Sequence, residues 1–275
     1  MESKIKKALH SPYEPVAVIL TDQKPAKAKQ FQEGKWGCVM FMFAAAARGQ
    51  TAVFDRRTFG CFGGGVGLGF GRQYLNFPGG EEGFCYFLST GNENSETGKQ
   101  TIEQVKPFLR DESLDNFIHG ERYQKSPEKV RTFIDNLPIV DLPFEYVVFK
   151  PLSLVGPDDS RPEVVVFLCD ADEMSALVVL ANYDRGHNEN VIIPWAAGCQ
   201  TIGIYPFLEA KSENSRAVVG LTDLSARVVI KKQFKADLLT FAIPYRMFEE
   251  MEANVAGSFF ERHCWNDLLK MKDNG

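Results

Sequence analysis

Cys61 and Cys199 each follow a glycine, and each closes the same short pattern. The first copy runs Arg48-Gly49, ten residues, then Gly60-Cys61; the second runs Arg185-Gly186, eleven residues, then Gly198-Cys199. A thiolate attacks electrophiles and binds soft metals, so Cys61 is a candidate catalytic nucleophile. Cys38 precedes an apolar run and is the third thiol of interest. At the start of a helix its pKa would be lowered by the helix dipole. Brought together, Cys38, Cys61 and Cys199 could hold an iron–sulfur cluster or another metal with an open position. No C-x-x-C or H-E-x-x-H spacing supports a standard metal site, and the histidines His10, His119, His187 and His263 are scattered. Free cysteine is also a common small core residue. That is the expectation for Cys85 and Cys169, which lie in strand-like runs, and for Cys264 near the C-terminus.

From Cys61 to Gly71 the segment carries six glycines in eleven residues. Gly63, Gly64, Gly65 and Gly67 would let the backbone approach a ligand closely, with successive amides forming an anion-binding hollow. Arg72, just beyond, would clamp a carboxylate or phosphate. No Gly-Lys-Ser/Thr follows, and the third glycine of a dinucleotide fingerprint would fall at Phe70. ATP and NAD are therefore demoted as ligands. Glycines needed only for a tight crossing of two elements are the competing explanation. Arg48 and Arg185, each after an apolar run, are either dipole-stabilising cations or paired anion clamps.

The elements that must position these residues follow a repeated order. Val16–Leu20 and Pro162–Leu168 read as strands; Trp36–Ala47 reads as a buried helix ended by Gly49, and Ala176–Ala181 as its counterpart. Cys38 and Ser175 each stand ten positions before their arginine. Ser126-Pro127-Glu128 starts a helix with an apolar face at Val130, Phe133, Ile134 and Leu137. Thr51–Phe54, Tyr146–Phe149, Ala217–Val219 and Val228–Ile230 read as further strands. Thr90–Gln100 is expected to be an exposed mobile loop, and Tyr245–Met271 a long amphipathic helix. The fold class is α/β or α+β with mixed sheets: two duplicated strand–helix–strand halves, roughly 1–155 and 156–275, packed as one globular domain over 1–275.

The chain has 275 residues, a net charge of −5 and 22 phenylalanines, which indicate a heavily apolar core or a lined pocket. An acidic chain without a basic aromatic stripe is a poor nucleic-acid binder. No window approaches the roughly 18–20 apolar residues of a membrane span. The N-terminus lacks a secretory apolar region, so the expected place is the cytoplasm, with six reduced cysteines.

Trp36-Gly37-Cys38, Gly60-Cys61-Phe62-Gly63-Gly64 with Gly67-Leu68-Gly69, Phe77-Pro78-Gly79-Gly80, Gly198-Cys199-Gln200 and Asp223-Leu224-Ser225-Ala226-Arg227 together resemble domain-of-unknown-function family 169. The resemblance covers nearly the whole chain and implies one complete cytoplasmic domain; it brings no activity with it. The residues themselves point first to a small-molecule or cofactor-binding protein with its site between the halves. A thiol-dependent enzyme acting through Cys61 is the second possibility, and a non-catalytic ligand sensor or assembly partner with a Phe-rich interface the third.

Overall fold

Val16–Thr21 (β1) and Val164–Cys169 (β4) are near-continuous apolar runs, the composition of strands covered on both faces. They pair antiparallel at the middle of a seven-stranded sheet, with Val18 opposite Val164 and Val16 opposite Val166. The other strands are Ala52–Phe54 (β2), Tyr146–Pro151 (β3), Val191–Ile192 (β5), Ala217–Gly220 (β6) and Leu239–Pro244 (β7), in the order β2-β3-β1-β4-β7-β6-β5. Among these seven strands the β5–β6 pair is parallel and the other pairs are antiparallel. The sheet is mixed, and the class is α/β or α+β. The computed structural model describes residues 1–109 and 111–273.

Alternation along the strands sends Ala17, Ile19, Val165 and Phe167 to one face, into a core with Leu177, Leu180, Phe248 and Trp265. On the other face Phe149 meets Phe43 edge-on, 6.2 Å between ring centroids. Phe43 belongs to the Val39–Ala46 helix, so this second face carries the helix that begins at Cys38. Among the described residues no helix is long and apolar enough to cross a membrane.

Two compact units are present, and they are not the sequence halves 1–155 and 156–275. One is Met1–Phe70 with Asp141–Gly275, which contains the whole sheet; the other is Gly71–Val140. The second has its own aromatic core: Tyr74 stacks on Phe84 at 4.0 Å, and Phe77 packs against Phe84, Phe87 and Phe117. Phenylalanine is core chemistry here, as its abundance suggests.

Several local expectations are corrected. Thr90–Gln100 is not an exposed loop: Asn92 is fully buried, and its amide donates to the carbonyls of Gly83 and Phe117 at 3.2 and 3.1 Å. Ser95 then caps the Glu96–Val105 helix. Polar composition misleads because the buried asparagine satisfies backbone rather than water. Asn92→Ala should lower the stability of this unit by about 2 kcal/mol, since two carbonyls lose their donor. Unchanged protease resistance of the 71–140 segment in that variant would contradict this.

Val228–Ile230 lies within the Leu224–Phe234 helix, whose Asp223 cap outweighs the strand propensity of its β-branched residues. Cys85 is on the Gly80–Phe87 helix rather than a strand. The C-terminal stretch is two helices, Tyr245–Ala253 and His263–Asp273, broken where Gly257 takes φ +75°.

The Arg-Gly pattern does not fall in matching geometry. Cys38 caps its helix, whereas Ser175 lies inside Ala171–Asn182, which Asp170 caps. Gly49 has φ +92° and its N–H bonds the Ala46 carbonyl, while Gly186 is not left-handed. The local pattern therefore carries no argument for duplication.

Candidate functional site

Four helix starts meet within the sheet-containing unit. Cys38 is the N-cap of Val39–Ala46 and Cys61 the N-cap of Phe62–Gly67. Cys199 is the second residue of Gly198–Ile202, and Asp223 caps Leu224–Phe234. The glycine-rich segment after Cys61 thus begins as a helix rather than a loop.

Glycine makes this convergence possible. Gly60 takes φ +82°, and a Cβ there would stand 2.3 Å from the Gly37 carbonyl oxygen. The residues just before Cys38 and Cys61 are therefore in backbone contact. A Cβ on Gly64 would lie 2.7 Å from a Val39 methyl and 3.5 Å from the Cys61 sulfur; one on Gly67 would lie 2.9 Å from the Cys199 sulfur. Gly198 abuts Ala226 and Met40 in the same way. These glycines serve close packing, the competing explanation above, and that packing also gathers the thiols.

The Gly64 amide donates to Cys61 Sγ at 3.2 Å, and Cys199 Sγ–H donates to the Gly63 carbonyl at 3.1 Å. Asp223 accepts from Ser225 N at 2.9 Å, with Gly198 N at 3.4 Å from its other oxygen. Cys199 is buried, and Cys38 and Cys61 are half-buried in front of it. Sequence reasoning named these three thiols; the helix starts that carry them are in contact, and Cys61 acts on the titration of both Cys38 and Cys199.

Their protonation differs from the helix-dipole expectation. Burial, reinforced by Cys61, pushes the Cys38 thiol up to about 12. Burial also raises Cys199 well above the ordinary thiol range, with Cys61 and Cys38 adding to it. Cys61 is raised by burial too, but the amides of Gly64, Cys61 itself and Gly63 pull the other way. Desolvation of a thiolate outweighs the end of a short helix. All three are neutral thiols at pH 7, and Cys61 has the amides best placed to receive negative charge.

A family model, domain-of-unknown-function family 169 (DUF169), described as uncharacterised ArCR, matches residues 4–254. The chain belongs to that family. No curated protein and no solved structure matches it. What this DUF169 chain does must come from its own residues.

Among those described, no group of three or more His, Cys, Asp or Glu is placed to hold a metal ion. The helix starts that carry Cys38, Cys61 and Cys199 are in contact, but the three thiols are not placed as a ligand set. Arg72 is in the other unit, where its guanidinium is held by Glu81 and by Asp135 at 2.9 Å. Those carboxylates occupy the face that an anion would need. Arg48 is a tie between helices: Nη1 donates to Gln233 at 3.0 Å and the guanidinium lies over the Phe234 ring. Arg185 donates to Ser215 O at 2.9 Å and Glu250 at 2.8 Å. Both guanidinium groups are engaged by protein partners.

Sequence reasoning missed the apolar skin beside the thiols. Trp36 is 70% exposed two residues before Cys38, and Phe41 is exposed one turn after it. Leu224 and Val228 are exposed one turn apart on the helix that packs against Val39–Ala46. The available signal was the i, i+4 spacing of Leu224 and Val228 behind a good capping aspartate.

Proposed function

We propose that this protein binds a small molecule or cofactor where Cys38, Cys61 and Cys199 converge. What supports the proposal is that the helix starts carrying the three thiols pack closely together, beside exposed Trp36, Phe41 and Leu224. Exposed apolar surface of this kind marks binding sites. In this reading half-buried Gly63 and its amide line the site, Gly64, Gly65 and Gly67 pack behind it, and Asp223 borders it. Such a site suits a ligand with an apolar or aromatic body and a soft, electron-poor centre facing the sulfurs. The setting we infer is the cytoplasm, where all six cysteines stay free; the acidic chain takes neither nucleic acid nor membrane as partner.

The amides directed at Cys61 favour one second reading, a thiol-dependent enzyme with Cys61 as the nucleophile. An amide nest stabilises the charge that appears only when the proton leaves.

Native mass spectrometry of protein purified anaerobically under reducing conditions tests the binding proposal. The expected spectrum holds a bound mass that is lost in Cys61→Ser and in Cys199→Ser and kept in Cys169→Ser. Bare protein in all samples, or a mass indifferent to both cysteines, would overturn it.

A further inference from the structure

The amide-faced Cys61 and the half-buried Cys38 stand at the ends of two strands of backbone that touch one residue earlier, at Gly37 and Gly60. Val39, next to Cys38, reaches the same Gly64 that the Cys61 sulfur contacts. Each cysteine is extended at its N-cap, with φ −78°, ψ 129° at Cys38 and φ −97°, ψ 165° at Cys61. Cys38 makes no side-chain capping bond, so its sulfur can turn, while the Cys61 sulfur is held on the Gly64 amide that faces it. Cys199 is held differently: its sulfur is tied to the Gly63 carbonyl, and its helix is wedged against Gly67. We propose that Cys38 and Cys61 form a reversible disulfide when a hydroperoxide reaches the site. This makes the pair a redox-modified site on the same cluster that the binding proposal uses, and in that sense it rests on that reading.

The chemistry balances with a hydroperoxide as oxidant. Cys61 loses its proton to solvent, and the thiolate, held by the Gly63 and Gly64 amides, attacks the terminal peroxide oxygen. The O–O bond breaks, the leaving alkoxide or hydroxide takes up a proton, and Cys61 becomes a sulfenic acid. The Cys38 sulfur then attacks the sulfenic sulfur; an S–S bond forms, the S–O bond breaks, and the oxygen leaves as water with the Cys38 proton. Two electrons pass from two thiols to one peroxide. Burial of both thiols makes the first step slow at neutral pH and faster as pH rises.

The test uses full-length reduced protein without added ligand, treated with excess hydrogen peroxide, quenched and alkylated. The expected intact mass has lost two hydrogens, and proteolysis yields the Cys38 and Cys61 peptides joined and separable by dithiothreitol. Cys61→Ser should give no linked peptide. Cys38→Ser should leave Cys61 carrying one oxygen that dimedone traps. A link from Cys61 to Cys199, a link through exposed Cys264 between chains, or oxidation of Cys61 without any link in the unmutated protein would each overturn the proposal. The unmutated protein decides the matter even where a variant fails to fold. Because the bound mass above is read on reduced protein, failure of the disulfide leaves that result standing, and failure of ligand binding leaves this one.

Discussion

Gly203→Ala should lower the unfolding free energy by about 2–3 kcal/mol, the upper part of the usual range for overpacking. Its Cβ would stand 2.0 Å from the carbonyl oxygen of Gly67 and 3.0 Å from that of Cys199. Both obstacles are backbone, so no side chain can swing away. The Phe62–Gly67 and Gly198–Ile202 helices would have to separate, and with them the Cys199 sulfur from the Gly63 carbonyl. Gly186→Ala is the matched control: nothing lies within 4 Å of its Cβ position, and a surface change of that kind stays within about 0.5 kcal/mol. Urea unfolding of both variants gives the comparison, with a lower midpoint and unchanged slope expected for Gly203→Ala alone. Equal midpoints would mean that the two helices do not cross this closely.

The same contact explains what could be read from the sequence and what could not. β1 and β4 were legible because six-residue apolar runs suit strands with both faces covered, and burial there is nearly complete. The Pro127–Asp135 helix was legible because serine, proline and spaced apolar residues all agree at its start. The Gly63–Gly71 segment was not, because glycine opposes helix formation by about 1 kcal/mol per residue. At Gly64 and Gly67 the tertiary contacts leave no room for a side chain, which local propensity cannot express. The value of Cys38, Cys61 and Cys199 as a group could be guessed from the glycine beside each, since a residue preceding a crowded thiol must itself be small. Arg72 misled for a related reason: its partners Glu81 and Asp135 lie 9 and 63 positions away, and the more distant one leaves no local trace. The Arg-Gly repeat misled because a spacing match carries no φ angle, and φ is where Gly49 and Gly186 differ.

Cys38 should react with iodoacetamide about a hundredfold more slowly in the native protein than in the same chain unfolded in guanidinium, both at pH 8. An ordinary unfolded thiol near 8.5 is roughly one quarter thiolate at that pH. With its pKa at about 12, native Cys38 holds roughly two thousandfold less thiolate. A more basic thiolate is more nucleophilic, which returns some tens-fold; the net is near a hundredfold, before any steric shielding. The direction follows from burial, which disfavours the charged form and so raises an acid's pKa. The native rate should therefore keep climbing about tenfold per pH unit above pH 9, where the unfolded rate levels off. Stability carries the same sign. The folded chain holds the Cys38 proton more tightly, so this contribution is complete below the unfolded pKa and is lost as pH rises towards about 12. Equal native and unfolded rates at pH 8 would place a thiolate at Cys38 in the resting protein. Three neutral thiols would then no longer describe the site, and Cys38 rather than Cys61 would be the sulfur that reacts first.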